Sequence, residues 1–246
     1  MEIEDDVLQG WSYLASQQWT KAEMAFKHAL EVDPFLPDAL TGLAALHLRS
    51  GDMEQARELS EMATAQAERN LPRAKRHTGW DDDAVRPYLR ALYYSALSYI
   101  RQDAWALAQP ALEEILAWDV TGIEGEALDL LAQVLHRIEH YEEAVHAYLQ
   151  AAEYFPEDYY TAGLLLHRLG KRREAERFWR RGFEQRPELA SLIAHYPHVV
   201  PNPRGGLLDQ NFRRTIEYLE YQGELWDAEA QSHLAKMYEA LPASHG

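Results

Sequence analysis

His136-Arg137-Ile138-Glu139-His140 places two histidines and a glutamate at a spacing used in metal-assisted hydrolysis. In that chemistry the imidazoles hold a zinc ion, a third ligand completes the set, and the glutamate takes a proton from the metal-bound water. Both histidines must then share one face of one continuous helix, so the elements around residue 139 decide the matter. Other catalytic arrangements are missing from the sequence. Gly205-Gly206 stands among prolines with no strand before it, unlike a phosphate-cradling loop. No serine sits in a nucleophile-elbow sequence. The carboxylates Glu142 and Glu143 suit the first turn of a helix, where the helix dipole favours negative charge.

The elements follow from a repeated spacing. A small residue precedes an alanine by twelve positions at Gly10 and Ala22, Ala44 and Ala56, Ala96 and Ala108, Ala132 and Ala144, and Gly163 and Ala175. Ile216 and Ala228 keep the spacing without the small first member. Such pairs predict antiparallel helices that cross where the small residues meet, since bulk there would force the axes beyond about 8–10 Å. Phe26, Tyr148 and Trp179 lie four residues after their alanines, on the same face, and fill the gap towards the next unit. Pro34, Pro156 and Pro187 help end the second helices. Gly51 and Gly170, seven residues after their small partners, occupy the turn inside a pair, where a left-handed conformation suits glycine. On this phase Glu139 falls in the same turn, so His140 lies beyond the helix that carries His136. The motif reads as two solvated histidines near a helix end, and no metal is expected. A metal-dependent hydrolase is the least favoured alternative.

With Gly10, Tyr13, Ala22, Phe26, Ala29 and Pro34 in the first copy, the spacing resembles the tetratricopeptide repeat family, whose unit is a 34-residue helix pair. The resemblance implies an all-α right-handed solenoid of five helix pairs plus a divergent C-terminal capping pair. The array is expected over 3–189, with copies at 3–36, 37–70, 89–122, 125–158 and 156–189. Copy two has Ser60 where an aromatic is expected, and copy three has Leu112 and Ile115. Copy five starts early, so its first helix is expected to be short. A stretch at 190–208, with Pro197, Pro201, Pro203, Gly205 and Gly206, is expected to connect the array to the pair at 209–241.

Between copies two and three, residues 71–88 break the period. They begin basic at Arg73, Lys75, Arg76 and His77, pass Gly79-Trp80, and turn acidic at Asp81-Asp82-Asp83. They are expected to form a surface loop, passive or lid-like, in which an aspartate caps the next helix. Gly79-Trp80 followed by Arg86-Pro87-Tyr88-Leu89-Arg90-Ala91 is similar to bacterial relatives of the suppressor of tumorigenicity 7 family. That family's polar turn is replaced here by Trp118-Asp119-Val120-Thr121-Gly122, and the resemblance implies no reaction.

Composition agrees with helices and with binding rather than catalysis. Good helix formers dominate, and no segment reads as an alternating strand. The formal charge of −16 opposes non-specific attraction to nucleic acid or anionic lipid. There is no cysteine for disulfide or thiol chemistry. The start, Met1-Glu2-Ile3-Glu4-Asp5-Asp6, lacks a signal peptide's basic and apolar regions, and no run approaches a membrane span. A cytoplasmic protein is expected, with no cofactor, no nucleic acid and no membrane among its partners.

Against this acidity, arginine recurs five residues after the small residue of the first helix, at Arg49, Arg101, Arg137 and Arg168. In the family this phase faces the concave groove. The same helices are expected to present Arg90, Tyr93, Gln133, His136, Tyr160 and His167. Guanidinium groups bind carboxylates bidentately and tyrosines give rigid contact, so the groove is expected to take an acidic segment or a free C-terminus. The competing reading is that the arginines only complement helix C-termini. The family's chaperone-binding clamp is absent, because Val7, Trp11, Thr41 and Ala45 hold its places. The function expected is a non-enzymatic adaptor or scaffold; a structural subunit that assembles through its surface, without a peptide ligand, is the alternative. Self-association remains open.

Overall fold

A computed structural model describes residues 2–71, 79–118, 121–198 and 210–241. Among them there are thirteen α-helices, one 3-10 turn and no strand, as the helix-pair spacing requires. The basic run Arg73 to His77, Asp119-Val120, and the connection from 199 to 209 with Pro201, Pro203, Gly205 and Gly206 lie outside the described residues.

The chain divides into two compact units after Glu139. The first holds α1 (Glu2–Ala15), α2 (Trp19–Val32), α3 (Pro37–Ser50), α4 (Met53–Asn70), α5 (Arg86–Ile100), α6 (Trp105–Leu116) and α7 (Glu124–Arg137). In this unit α1, α3 and α5 touch in succession and form one layer, with α2, α4 and α6 packed against it. The crossing chemistry is visible at Phe26, which is fully buried. A Cβ on Gly10 would sit 2.5 Å from its ring, and one on Gly42 of the next first helix would overlap it as well. One aromatic therefore locks two successive first helices, and it does so only because both present glycine.

The turn inside each pair uses one device. Gln17, Gly51, Asp103, Glu139 and Gly170, each seven residues after the small residue, all have positive φ, from 56° to 86°. Beyond them the Gln18, Asp52, Ala104 and Lys171 amides donate to carbonyls five residues back, at 2.8–3.0 Å, closing the helix end in a Schellman pattern. Glycine is used twice, and three side chains tolerate the left-handed conformation.

The second unit holds α8 (Tyr141–Ala151), α9 (Asp158–Arg168), α10 (Arg172–Gln185), α11 (Pro187–Ala194), α12 (Gln210–Gln222), the 3-10 turn Gly223–Leu225 and α13 (Ala228–Glu239). The first helix of copy five is short, 11 residues against 14 in α1 and α3. Where a connection was expected from 190, α11 continues to Ala194. Pro187 opens this helix at a position where its missing N–H is no loss. Trp179, fully buried, is the core's largest sealed side chain and would overlap a Cβ on Gly163. Beneath it Glu157, 3 % exposed, receives Arg186 Nη1 at 3.2 Å and pairs with Arg214, while Arg186 Nη2 donates to Thr215 Oγ1 at 2.6 Å.

The insertion packs through Arg86, whose Nε donates to the Trp80 carbonyl at 2.8 Å and whose Nη1 pairs with Asp83 at 2.7 Å. The expected aspartate cap is corrected: Val85 holds the N-cap of α5 without a side-chain bond, and Asp82 instead accepts from the Ala84 amide.

Candidate functional site

Arg90 and Tyr93, three residues apart on α5, come together with residues of α1 and α3 on the first-helix layer of the first unit. Arg90 Nη1 donates to Asp38 Oδ1 at 2.7 Å, and both side chains are less than a fifth exposed. The guanidinium lies 4.2 Å from the Trp11 ring centre and 5.7 Å from that of Trp80. Trp11 also meets Tyr94 at 6.0 Å, and Tyr94 meets Tyr93 edge-on at 5.7 Å. Burial raises the Asp38 pKa above the ordinary carboxylate value, and Arg90 only partly offsets it. Burial also pushes the Tyr93 hydroxyl up to about 12, with Tyr94, Glu126 and Asp129 adding to the effect. Among the described residues the bond to Asp38 is the only hydrogen bond of the Arg90 side chain, so the Nε and Nη2 edges of its fork keep their donors.

The other expected positions separate. Arg49 is exposed and lies 3.8 Å over the ring of Trp19, the first residue of α2. Arg137, also exposed, sits 5.5 Å from the ring of Trp105, the first residue of α6. Two arginines of the ladder thus stack on the aromatic that opens the preceding second helix. Arg101, the C-cap of α5, is exposed, and its side chain makes no hydrogen bond or ion pair among the described residues. Arg168 donates to the Leu225 carbonyl and lies 3.7 Å from Asp227, which ties it to the 3-10 turn. Gln133 donates to Asp129 at 2.9 Å, and His136 is 8 % exposed.

Three expected groove residues are corrected: His136 is buried, and so are Tyr160 and His167. Tyr160 is fully buried, with its hydroxyl donating to the Arg186 carbonyl at 2.7 Å, so it offers no surface to a ligand. His167 is 8 % exposed and stacked 5.6 Å from Trp179, with its Nε2 buried and without a partner. Both belong to the core, because α9 is covered on the side that the repeat phase left open.

The helix ends also settle the order of elements in the 136–140 motif. Helix α7 stops at Arg137, Glu139 has a φ of 66°, and His140 is the residue before α8. The two histidines therefore do not share one helix face, and among the described residues no group of three metal-binding side chains gathers.

Trp11, Asp38, Tyr94 and Trp80 were absent from the sequence expectation of the site. Asp38 was within reach: it is the second residue of copy two, as Arg90 is of copy three. Their separation of 52 is the repeat length of 34 plus the insertion of 18.

Tetratricopeptide repeat models match residues 13–76 and residues 125–158. The chain carries tetratricopeptide repeats. Solved structures share its fold. The structure of MamA AMB-1 is 17 % identical with a TM-score of 0.57, covering 74 % of this chain and 98 % of that one. The MamA RS-1 ArsTM double mutant is 15 % identical with a TM-score of 0.59, covering 76 % and 96 %. YrrB, described as a TPR protein with an unusual peptide-binding site, is 15 % identical with a TM-score of 0.56, covering 74 % and 86 %. At these identities the likeness is one of fold. No curated protein matches the chain. No described helix is long and apolar enough to cross a membrane.

Proposed function

We propose that this repeat protein is a non-enzymatic, cytoplasmic adaptor or scaffold that binds an extended acidic segment or C-terminus on the first-helix layer of its first unit. The observation that carries the reading is Arg90. Trp11 covers one face of the guanidinium and Asp38 fixes one nitrogen, so the fork is held rigid with two donor edges unused. A carboxylate meeting such a fork loses little entropy to ordering, which favours bidentate contact. Trp11, Tyr93 and Tyr94 give the neighbouring residues of a ligand amphipathic contact. Arg101 and the exposed Arg49 and Arg137 add a positive edge, although stacking on Trp19 and Trp105 also explains the last two. YrrB, of the same fold, is described by a peptide-binding site, which supports the class of ligand.

The test is fluorescence anisotropy with a labelled peptide ending in two glutamates. Replacing Arg90 alone would strand Asp38, so the variant is Asp38→Asn with Arg90→Gln, which keeps a neutral hydrogen-bonding pair. Binding should weaken at least about tenfold and should fall as salt rises, because exposed charges are screened within ~10 Å at 0.1 M. Unchanged affinity in the double variant, with unchanged helicity, would refute the reading. Arg101→Glu with Arg137→Glu tests the edge separately: a ligand that ignores both lies away from the ladder.

A further inference from the structure

The second-helix side of the first unit carries a cleft of about 700 Å³, walled by α4 and α6 and floored by α5. Its volume falls in the range of about 300–1,000 Å³ typical of ligand sites. Each helix contributes one stripe. Glu61, Thr64, Ala65 and Glu68 come from α4, and Leu107, Pro110, Ala111 and Glu114 from α6. Tyr88, Leu92, Ser95 and Tyr99 make the floor, and Trp118 closes one end. We propose that this cleft is a second docking site, which takes a lysine- or arginine-bearing segment of a partner protein.

Charge complementarity carries the choice of occupant. The lining holds three carboxylates and, among the described residues, no lysine, arginine or histidine. Glu61 is offset from outside by Arg57 at 3.1 Å and accepts from the Tyr99 hydroxyl at 2.8 Å. Glu114 receives only neutral donors, Trp118 Nε1 at 3.1 Å and the Tyr88 hydroxyl at 3.5 Å, so its charge stands. Glu68 is exposed, and its carboxylate has no partner among the described residues. The partly exposed Trp118 ring, bonded to Glu114 and packed edge-on at 6.1 Å against the buried Tyr88, suits a guanidinium or ammonium, which gains from the ring as well as from the charge. Leu107, 59 % exposed at the other end, gives an apolar residue of the same segment a place to rest.

Length argues for a peptide over a single amine. The cleft runs along α4 from Glu61 to Glu68, seven residues or about 10 Å at a rise of ~1.5 Å per residue, more than one amine covers. This site and the Arg90 surface prefer opposite charges and use different helix faces, so the failure of one reading leaves the other standing.

The probe is a fluorescein-labelled peptide containing Lys-Leu-Ser-Lys, read by anisotropy. Glu68→Gln with Glu114→Gln should weaken binding about fivefold, as two screened surface pairs would. Because the chain is strongly acidic overall, the control is Glu54→Gln with Glu239→Gln, which removes the same charge elsewhere and should leave affinity within about twofold. Three outcomes overturn the proposal: no binding at low salt, equal loss in the control, or equal binding of a neutral analogue. If binding appears only after Arg73, Lys75 and Arg76 are replaced by alanine, the chain's own basic run is the occupant and the external partner falls.

Discussion

The two units solve one packing problem in different currencies of side chain. In the second, the aromatic position of the repeat is kept by Tyr148 and Trp179, both fully buried. Trp179 stacks on His167, meets His233 edge-on at 5.4 Å and lies 5.8 Å from Trp226. Tyr218 accepts from Trp226 Nε1 at 3.2 Å and bonds Thr161 at 3.0 Å, and burial holds its hydroxyl far above the ordinary tyrosine range. A buried carboxylate with two arginines completes this interior. In the first unit, the copies formed by α3–α4 and α5–α6 carry Ser60 and Leu112 at that aromatic position, both fully buried. The second helices of these copies are the walls of the cleft. Copy one keeps Phe26 buried at that position, while three tryptophans of the unit stand against arginines: Trp19 with Arg49, Trp105 with Arg137, Trp11 with Arg90. Aromatics turned inward lock a unit, whereas aromatics turned outward give it surface. The unit that departs most from the repeat pattern is the one with the most to offer a ligand.

The contrast predicts unequal sensitivity. Glu157→Ala should be the most damaging single change, because it removes the buried carboxylate that Arg186 and Arg214 share and leaves Arg186 to the half-exposed Glu188. A cost of about 3–5 kcal/mol is expected for breaking a buried pair, enough to lower the melting temperature of the second unit by more than about 10 °C. Calorimetry should show that transition displaced, with the first unit's little changed. A shift of only a degree or two would mean that solvent reaches the network.

Next in size are the two locks. Gly42→Ala and Gly163→Ala each place a methyl group into a buried ring, and overpacking of this kind costs about 1–3 kcal/mol. Trp179 is further pinned by its Nε1 bond to the Tyr160 carbonyl at 3.2 Å. Phe26 meets Trp11 edge-on at 5.4 Å and has no such bond, so it yields more easily. Denaturant titration should therefore show the larger loss for Gly163→Ala. The reverse order would break the comparison.

Acid should then act on the units in opposite directions. The His167 pKa is lowered from 6.5, by burial first and then by His233. The unfolded chain takes that proton before the folded one, so this contribution is complete above pH 6.5 and is lost as pH falls through the folded value. Asp38 is raised above 3.8, so the folded state binds its proton first, and the first unit gains stability as pH drops through that raised value. Stability measured from pH 7 to pH 5 should fall in the second unit, with a shallower slope in His167→Phe. An unaltered slope in that variant would assign the acid sensitivity elsewhere.

The smallest expected effect concerns the edge stacks. Arg49→Ala or Arg137→Ala should cost about 0.5–1 kcal/mol, the value of an exposed cation–π contact, without loss of helicity. If neither stability nor acidic-peptide binding responds, the arginines serve neither role.

Much of this fold is written in the sequence because the repeat is a local code. The twelve-residue spacing of small residues fixes where two helices cross, and the aromatic four positions later fixes which face meets the next unit. Both follow from 3.6 residues per turn. The inter-helix turn was legible at Gly51 and Gly170, and the same phase placed Glu139 outside the helix of His136. What the phase could not supply was the state of each face after packing. Tyr160 and His167 hold the register of exposed residues, yet neighbours at residues 186, 218 and 233 seal them. Arg49, Arg137 and Arg168 share one repeat position but meet Trp19, Trp105 and Leu225, partners chosen by different neighbouring elements. Register along a helix is set by residues within one turn of each other, which sequence contains. Burial and pairing are set by whatever lies tens of residues away, and only the tertiary structure brings those residues together.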